Sequence, residues 1–170
     1  MFEIIRFTPN DADTLTWIWR ETFQQAYADV HAPADLDTYC AANFSLNQAV
    51  ARLNDPKSLC YGGYVKGQIA GYYRVDIAAC PYPLTAPSAE LKQIYILSAH
   101  YGAGIGRALY DHALESLRAE GIAAVWLAVS DINYRAQAFY AKLGFQAKGK
   151  GPSFQVGKDT LTSQILARLI

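Results

Sequence analysis

Net charge is the first thing this chain lacks. Its 170 residues carry fifteen basic and fifteen acidic side chains, so no field of either sign would draw in nucleic acid or an anionic membrane. Cysteine is scarce and unpatterned. Cys40, Cys60 and Cys80 are odd in number and have no CxxC spacing, which excludes a zinc ribbon or disulfide framework. They read as reduced thiols of a cytoplasmic protein. No apolar run approaches the roughly 20 residues a membrane span requires, and no charged-then-apolar leader opens the chain. His31, His100 and His112 are scattered, with no Ser-His-Asp or Cys-His constellation and no metal-ligand spacing. Repeats, charge blocks and linkers are absent too. What remains is 52% hydrophobic at a mean hydropathy of +0.01, which fits one soluble domain over residues 1–170 with a sizeable core.

The informative stretch runs from Glu90 to Leu117. Leu91 to Leu97 has the length and the β-branched, aromatic and aliphatic mixture of a strand. Ser98 to Ala103 has no apolar period and reads as a turn. From Gly104 onward, Ile105, Leu109, Ala113 and Leu117 recur at every fourth position and make one face of a helix. Gly102, Gly104 and Gly106 therefore stand where a strand hands over to a helix N-terminus. Glycine there admits a close approach to the backbone, and the unpaired N–H groups of a first helical turn suit a phosphate. The pattern alone is weak. A dinucleotide fold would place it after the first strand with an acidic residue about 20 residues on; a Walker loop would follow Gly106 with lysine, not Arg107 and Ala108. A tight turn with no ligand is the competing reading.

Elsewhere, Phe2 to Phe7 reads as a first strand, and Asn10 as the cap of a helix running to about His31, with Asp11 and Asp13 at its positive end. Pro33 is expected to break it and Asp35 to start a short second helix through Tyr39. Ser45-Leu-Asn-Gln48 has capping-box form and predicts a helix to Leu53. Ser58–Val65 and Gln68–Ile77 read as a hairpin turned at Lys66-Gly67. Three prolines make Cys80–Pro87 a loop. Ala123–Val129, a segment from Phe145 and Leu161–Leu169 read as further strands. The whole is a mixed α/β sheet with helices on both sides.

After the Ala123–Val129 strand comes Asn133-Tyr-Arg-Ala-Gln-Ala-Phe-Tyr-Ala-Lys-Leu-Gly-Phe145. Here the chain resembles the GNAT superfamily of acetyl-CoA-dependent N-acetyltransferases. The family's pyrophosphate motif, Gln/Arg-x-x-Gly-x-Gly/Ala, matches Tyr101 to Gly106, and its later signature matches Asn133 to Phe145. Tyr101 departs from the family's Gln or Arg. The resemblance implies a mainly antiparallel central sheet, acetyl-CoA as cosubstrate without a metal, and acetyl transfer to an amine without a covalent enzyme intermediate. It implies a cofactor track along Ile94, Tyr95 and Ile96, the loop Tyr101, Gly102, Ala103, Gly104, Ile105, Gly106 and Arg107, and then Asn133, Ala136 and Lys142. Ile96 enters through its backbone N–H, which would polarise the thioester carbonyl.

Tyr140 is the expected proton donor. It is protonated at neutral pH and matches the family's tyrosine in local context, although Ala136, Phe139, Tyr140 and Leu143 also follow a core period. Glu90 is the candidate base, or else a solvated edge carboxylate; strand alternation would put it on one face with Lys92, Ile94 and Ile96. Asn133 is a cap whatever else it does. By the resemblance, Lys142 matches a basic position that in relatives lies near the CoA phosphates, although a solvated helix lysine is the commoner finding; Arg107, one residue past the last glycine, has the better electrostatic case. Asp29, Asp35 and Glu21 are candidates for an amine site.

A softer resemblance, to bacterial spermidine/spermine N-acetyltransferases of the protease-synthase and sporulation-regulator (Pai) type, rests on scattered residues. These are Glu21-Thr-Phe, Tyr27, the insert from Asp35 to Leu53, and Ser153-Phe-x-x-Gly157. It implies a polyamine or other small primary amine as acceptor, although Lys92 and Lys158 add positive charge. The alternatives are a protein N-terminal or lysine acetyltransferase and a non-catalytic CoA-binding sensor. No nucleic-acid or membrane partner is expected, and homodimerisation is left open.

Overall fold

A computed structural model that describes residues 1–170 contains nine strands and five α-helices. The first half contains β1 (Phe2–Arg6), α1 (Ala12–Tyr27), α2 (Pro33–Asn43), α3 (Leu46–Asn54), β2 (Ser58–Val65), β3 (Gln68–Asp76) and β4 (Ser88–Ile96). The second contains α4 (Ile105–Ala119), β5 (Ala124–Ser130), α5 (Tyr134–Lys142), β6 (Gln146–Lys150), β7 (Phe154–Val156), β8 (Asp159–Leu161) and β9 (Ser163–Leu169). Seven strands form one sheet in the order β1-β2-β3-β4-β5-β9-β6, while β7 and β8 pair only with each other. Every neighbouring pair is antiparallel except β4 and β5. No helix is long and apolar enough to cross a membrane.

Helices cover both faces. On one, Leu15, Ile18 and Trp19 of α1 pack with Ala49 of α3 and Tyr72 of β3. On the other, Leu109, Ala113 and Leu117 of α4, with Tyr140 and Leu143, pack on Tyr73, Val75, Leu91, Val125 and Leu127. The fourfold apolar recurrence in α4 is thus a buried face. A satellite cluster joins Phe23 and Tyr27 of α1 to Leu36 and Cys40 of α2 and to Val156 and Leu161 of the β7–β8 hairpin.

Several local expectations hold and several shift. Lys66 and Gly67 both take positive φ, 50° and 77°, which suits the tight β2–β3 turn. Ser45 Oγ accepts the Gln48 N–H at 3.3 Å while Gln48 Oε1 accepts the Ser45 N–H at 2.8 Å, completing the capping box. Asn10 is not the first cap. Asp11 reaches back instead, its Oδ2 accepting both the Thr8 N–H at 2.7 Å and the Thr8 hydroxyl at 2.8 Å. Helix α1 ends at Tyr27, short of His31, and Pro33 opens α2 at its first position, where its missing N–H costs nothing. Gly157, at φ 60°, and Lys158 turn a separate hairpin between β7 and β8, so the last strand begins at Ser163 rather than Leu161.

Candidate active site

The site begins with an extra residue in β4. Arg74 pairs with Gln93 but Val75 pairs with Leu91, so Lys92 has no partner on β3 and bulges. A bulge bends its strand and breaks the period-two alternation. Ala89 and Leu91 therefore face the α4 core before it, and Ile94 and Ile96 face the same core after it. Glu90 is on the opposite face, which corrects the expectation that it shares one with Ile94 and Ile96. The bend also ends the parallel seam. β4 and β5 pair only at Ser88–Ala124, Ala89–Val125 and Glu90–Trp126, and beyond those three pairs the strands diverge.

A cleft of about 360 Å³ opens in the gap. Glu90, Gln93, Ile94 and Tyr95 line one bank; Val129, Ser130, Asn133, Ala136 and Tyr140 line the other. The Leu97 N–H is spent on the Ala70 carbonyl at 2.9 Å. Hydrogen-bonding direction alternates along an antiparallel strand, so the N–H groups of Ile94 and Ile96 turn away from β3, toward the gap.

At the end of β4 the chain enters the glycine loop. Gly102 and Gly104 sit at φ 80° and 79°, and a Cβ on either would meet no protein atom within 4 Å. The Tyr101 and Ala103 N–H groups go to Ser98 and His100 carbonyls, and Ala108 reaches back to the Gly104 carbonyl at 3.1 Å. Gly102, Gly104, Ile105, Gly106 and Arg107 are left without a backbone acceptor. These donors crowd the positive end of a 15-residue helix, an anion site by both geometry and dipole. Ile105 contributes only backbone, since its side chain is buried in the core. Gly106 adjoins Ile96 and Phe139, a Cβ there lying 3.7 Å and 3.9 Å from them. The loop thus runs into the β4–α5 gap.

The cations of this loop differ from expectation. Arg107 is exposed and tied to Asp111, its Nε 2.9 Å and 2.8 Å from the two carboxylate oxygens, so its charge is already matched. Arg135, in the first turn of α5, lies 3.7 Å over the Tyr101 ring and makes no ion pair. A free guanidinium thus stands over the residue that departs from the motif. Lys142 is exposed on the last turn of α5 and does not line the cleft.

Tyr140 is 7% exposed, and its hydroxyl has no protein partner. Burial, with Tyr110 nearby, pushes its pKa well up, so the proton is held through the neutral range. Glu90 is 8% exposed, with Oε1 3.1 Å from Lys92 Nζ. Asn133 caps α5, its Oδ1 accepting the Ala136 N–H at 3.1 Å. Asp29, Asp35 and Glu21 do not line the cleft. Glu21 instead accepts from Gln25 at 2.9 Å.

Sequence reasoning missed the outer wall. Trp19, Phe23 and Tyr27 of α1, Tyr39 of α2, Phe44 and Phe154 bring their rings together there, with Phe23 stacked on Tyr39 at 4.6 Å. It also missed Arg74, 7% exposed, whose Nε and Nη2 grip Asp76 at 2.7–3.2 Å. Burial works to raise the Asp76 pKa, but hydrogen bonds and charge from Arg74, with Ser58, outweigh it and hold the carboxyl below its usual range. The only available signal was charge inside an otherwise apolar strand.

Residues 12–145 match the acetyltransferase (GNAT) family. An uncharacterized N-acetyltransferase of Mycobacterium tuberculosis is 30% identical over 158 residues, covering 93% of this chain and 97% of the relative. A spermidine N(1)-acetyltransferase of Thermoplasma acidophilum is 24% identical over 150 residues, 86% of this chain and 89% of the relative. The crystal structure of PaiA N-acetyltransferase from Thermoplasma acidophilum in complex with coenzyme A superposes at a TM-score of 0.84, with 20% identity over 100% of this chain and 99% of that one.

Proposed function

The chain belongs to the acetyltransferase (GNAT) family, and from that premise we propose that it transfers acetyl from acetyl-CoA to a small primary amine held in the β4–β5 cleft. The observation that carries the proposal is the continuity of three features. Free N–H groups at Gly102 and from Gly104 to Arg107 lead into a gap with unspent strand amides at Ile94 and Ile96, and Tyr140 lines that gap.

Acetyl-CoA supplies an acetyl thioester, an acyl group that needs no covalent attachment to the protein. The loop amides and Arg135 hold phosphate charge, and the Ile96 N–H is placed to stabilise negative charge on a carbonyl oxygen, worth roughly 3–4 kcal/mol for such a donor. Holding two reactants in line across the gap contributes on the order of 7–11 kcal/mol. Glu90 accepts the ammonium proton, directly or through water, at Oε2, the oxygen Lys92 leaves free. Tyr140 holds the proton that a departing thiolate requires.

Polyamines enter as acceptors through resemblance: the Pai-type likeness and the Thermoplasma relative's name favour them. The ring-lined wall supports an ammonium of any kind by cation–π attraction. Free-thiol release on mixing the protein, acetyl-CoA and a panel of primary amines tests the proposal. Amine-dependent release is expected. Tight acetyl-CoA binding with no release for any amine or amino-terminal peptide would make the protein a CoA sensor instead.

A further inference from the structure

The cleft's polar groups carry more information about the acceptor than its rings do. Of the residues lining it only Arg74, Glu90 and Lys92 are charged, and the one carboxylate is already matched by Lys92 at 3.1 Å. A polyamine brings several ammonium groups and would meet no free anion, since Glu90 is matched by Lys92 and Asp76, behind the cleft, by Arg74. Three other groups are open. The Arg74 guanidinium spends Nε and Nη2 on Asp76, leaving Nη1 without a protein partner. Trp19, 3% exposed, has a buried Nε1–H with no acceptor, and Gln93 Oε1 is buried with no donor. All three residues line the same cleft.

Buried polar groups go unpaired rarely and at a cost of a kcal/mol or more each. Trp19 and Arg74 are donors, so they ask for oxygen on the ligand; Gln93 and Glu90 are acceptors, so they ask for nitrogen bearing hydrogen. Resting on the reading that this cleft takes the acceptor amine, we propose that the acceptor carries a carboxylate or carbonyl oxygen beside its primary amine. Its class is that of an amino acid or a peptide amino terminus, and not an unfunctionalised polyamine. Trp19 Nε1 and Arg74 Nη1 take the oxygen, Gln93 Oε1 orients the amine, and Glu90 removes its proton. Asp76 acts through Arg74, holding the guanidinium in its plane.

The test is acceptor selectivity of the intact enzyme, read as thiol release from acetyl-CoA. Its probes are L-alanine, γ-aminobutyrate, L-alaninamide, trialanine, putrescine and spermidine. An oxygen-bearing amine is expected to exceed putrescine and spermidine in kcat/KM by roughly 10- to 100-fold, the worth of one or two charge-assisted hydrogen bonds. Alanine against trialanine separates the free amino acid from the peptide terminus. Trp19→Phe, which deletes the N–H together with part of the fused ring and is therefore read as the change in preference between amines, is expected to cut that preference about tenfold, mainly through KM. Arg74→Lys should do the same where it folds. Preference for putrescine or spermidine would overturn the inference and leave the small-amine enzyme standing. Equal loss for every amine in Trp19→Phe would reduce Trp19 to packing and overturn it as well. No acetylation of any probe would overturn the inference and the small-amine reading together.

Discussion

Replacing Tyr140 by phenylalanine removes one oxygen from the molecule and very little else. The hydroxyl makes no protein hydrogen bond, so none is lost, and the ring keeps Phe139 and Phe145, each with its centroid 5.4 Å away. Folding stability at pH 7 should move by less than about 0.5 kcal/mol, or roughly 1–2 °C in Tm for a chain this size. Acetyl-CoA affinity, by titration calorimetry, should change less than about twofold. Turnover should fall by about 10²–10⁴, the usual worth of a general acid. A second readout comes from alkaline pH. Burial raises the Tyr140 pKa above its unfolded value of about 10, so below that pH both states hold the proton and nothing is gained or lost. Above it the unfolded state releases its proton first, and stability falls by ~1.4 kcal/mol per pH unit for each such tyrosine. Denaturant titrations at pH 11 should show Tyr140→Phe losing less stability than wild type. Turnover within twofold of wild type, with binding and Tm intact, would refute the acid role.

Gly104→Ala, at φ 79° with no protein atom nearby, should cost about 1 kcal/mol of stability through strain alone while acetyl-CoA affinity falls at least tenfold. Gly106→Ala is the control: its φ is ordinary and its Cβ would make normal contacts, so calorimetry should find binding retained and Tm equal or slightly higher. Glu90→Gln should depress turnover most near neutral pH and least at high pH, where the amine is already free; a pH–rate profile parallel to wild type would return Glu90 to a partner of Lys92. Arg135→Ala should weaken acetyl-CoA binding more than Arg107→Ala, and should flatten the salt dependence of that binding; the reverse order would restore Arg107 as the phosphate cation.

The parts of this site legible in the sequence are those written over short spans. The glycine spacing before α4, the Asn133 cap and the Lys66-Gly67 turn are local chemistry, and each stands where its residues say. Face assignment along β4 was not legible, because alternation counts residues and the Lys92 bulge adds one. Which cation serves the loop was decided by an i,i+4 partner for Arg107 and by an approach from α5 for Arg135, two contacts of which only the first is local. The ring wall joins α1, α2 and Phe154, more than a hundred residues apart, through a hairpin whose two three-residue strands are too short to signal themselves.

Three residue pairs are all the backbone that joins β4 to β5. On one side of that seam lies a meander drawn wholly from residues 2–96, on the other a group drawn from 124–169. The sheet is two half-sheets, each continuous in the chain, and a molecule bound in the gap touches both. It is a staple. Its binding energy is also energy of docking one half to the other, so occupancy should stiffen the seam as a crosslink would, and the halves should part more readily when the cleft is empty.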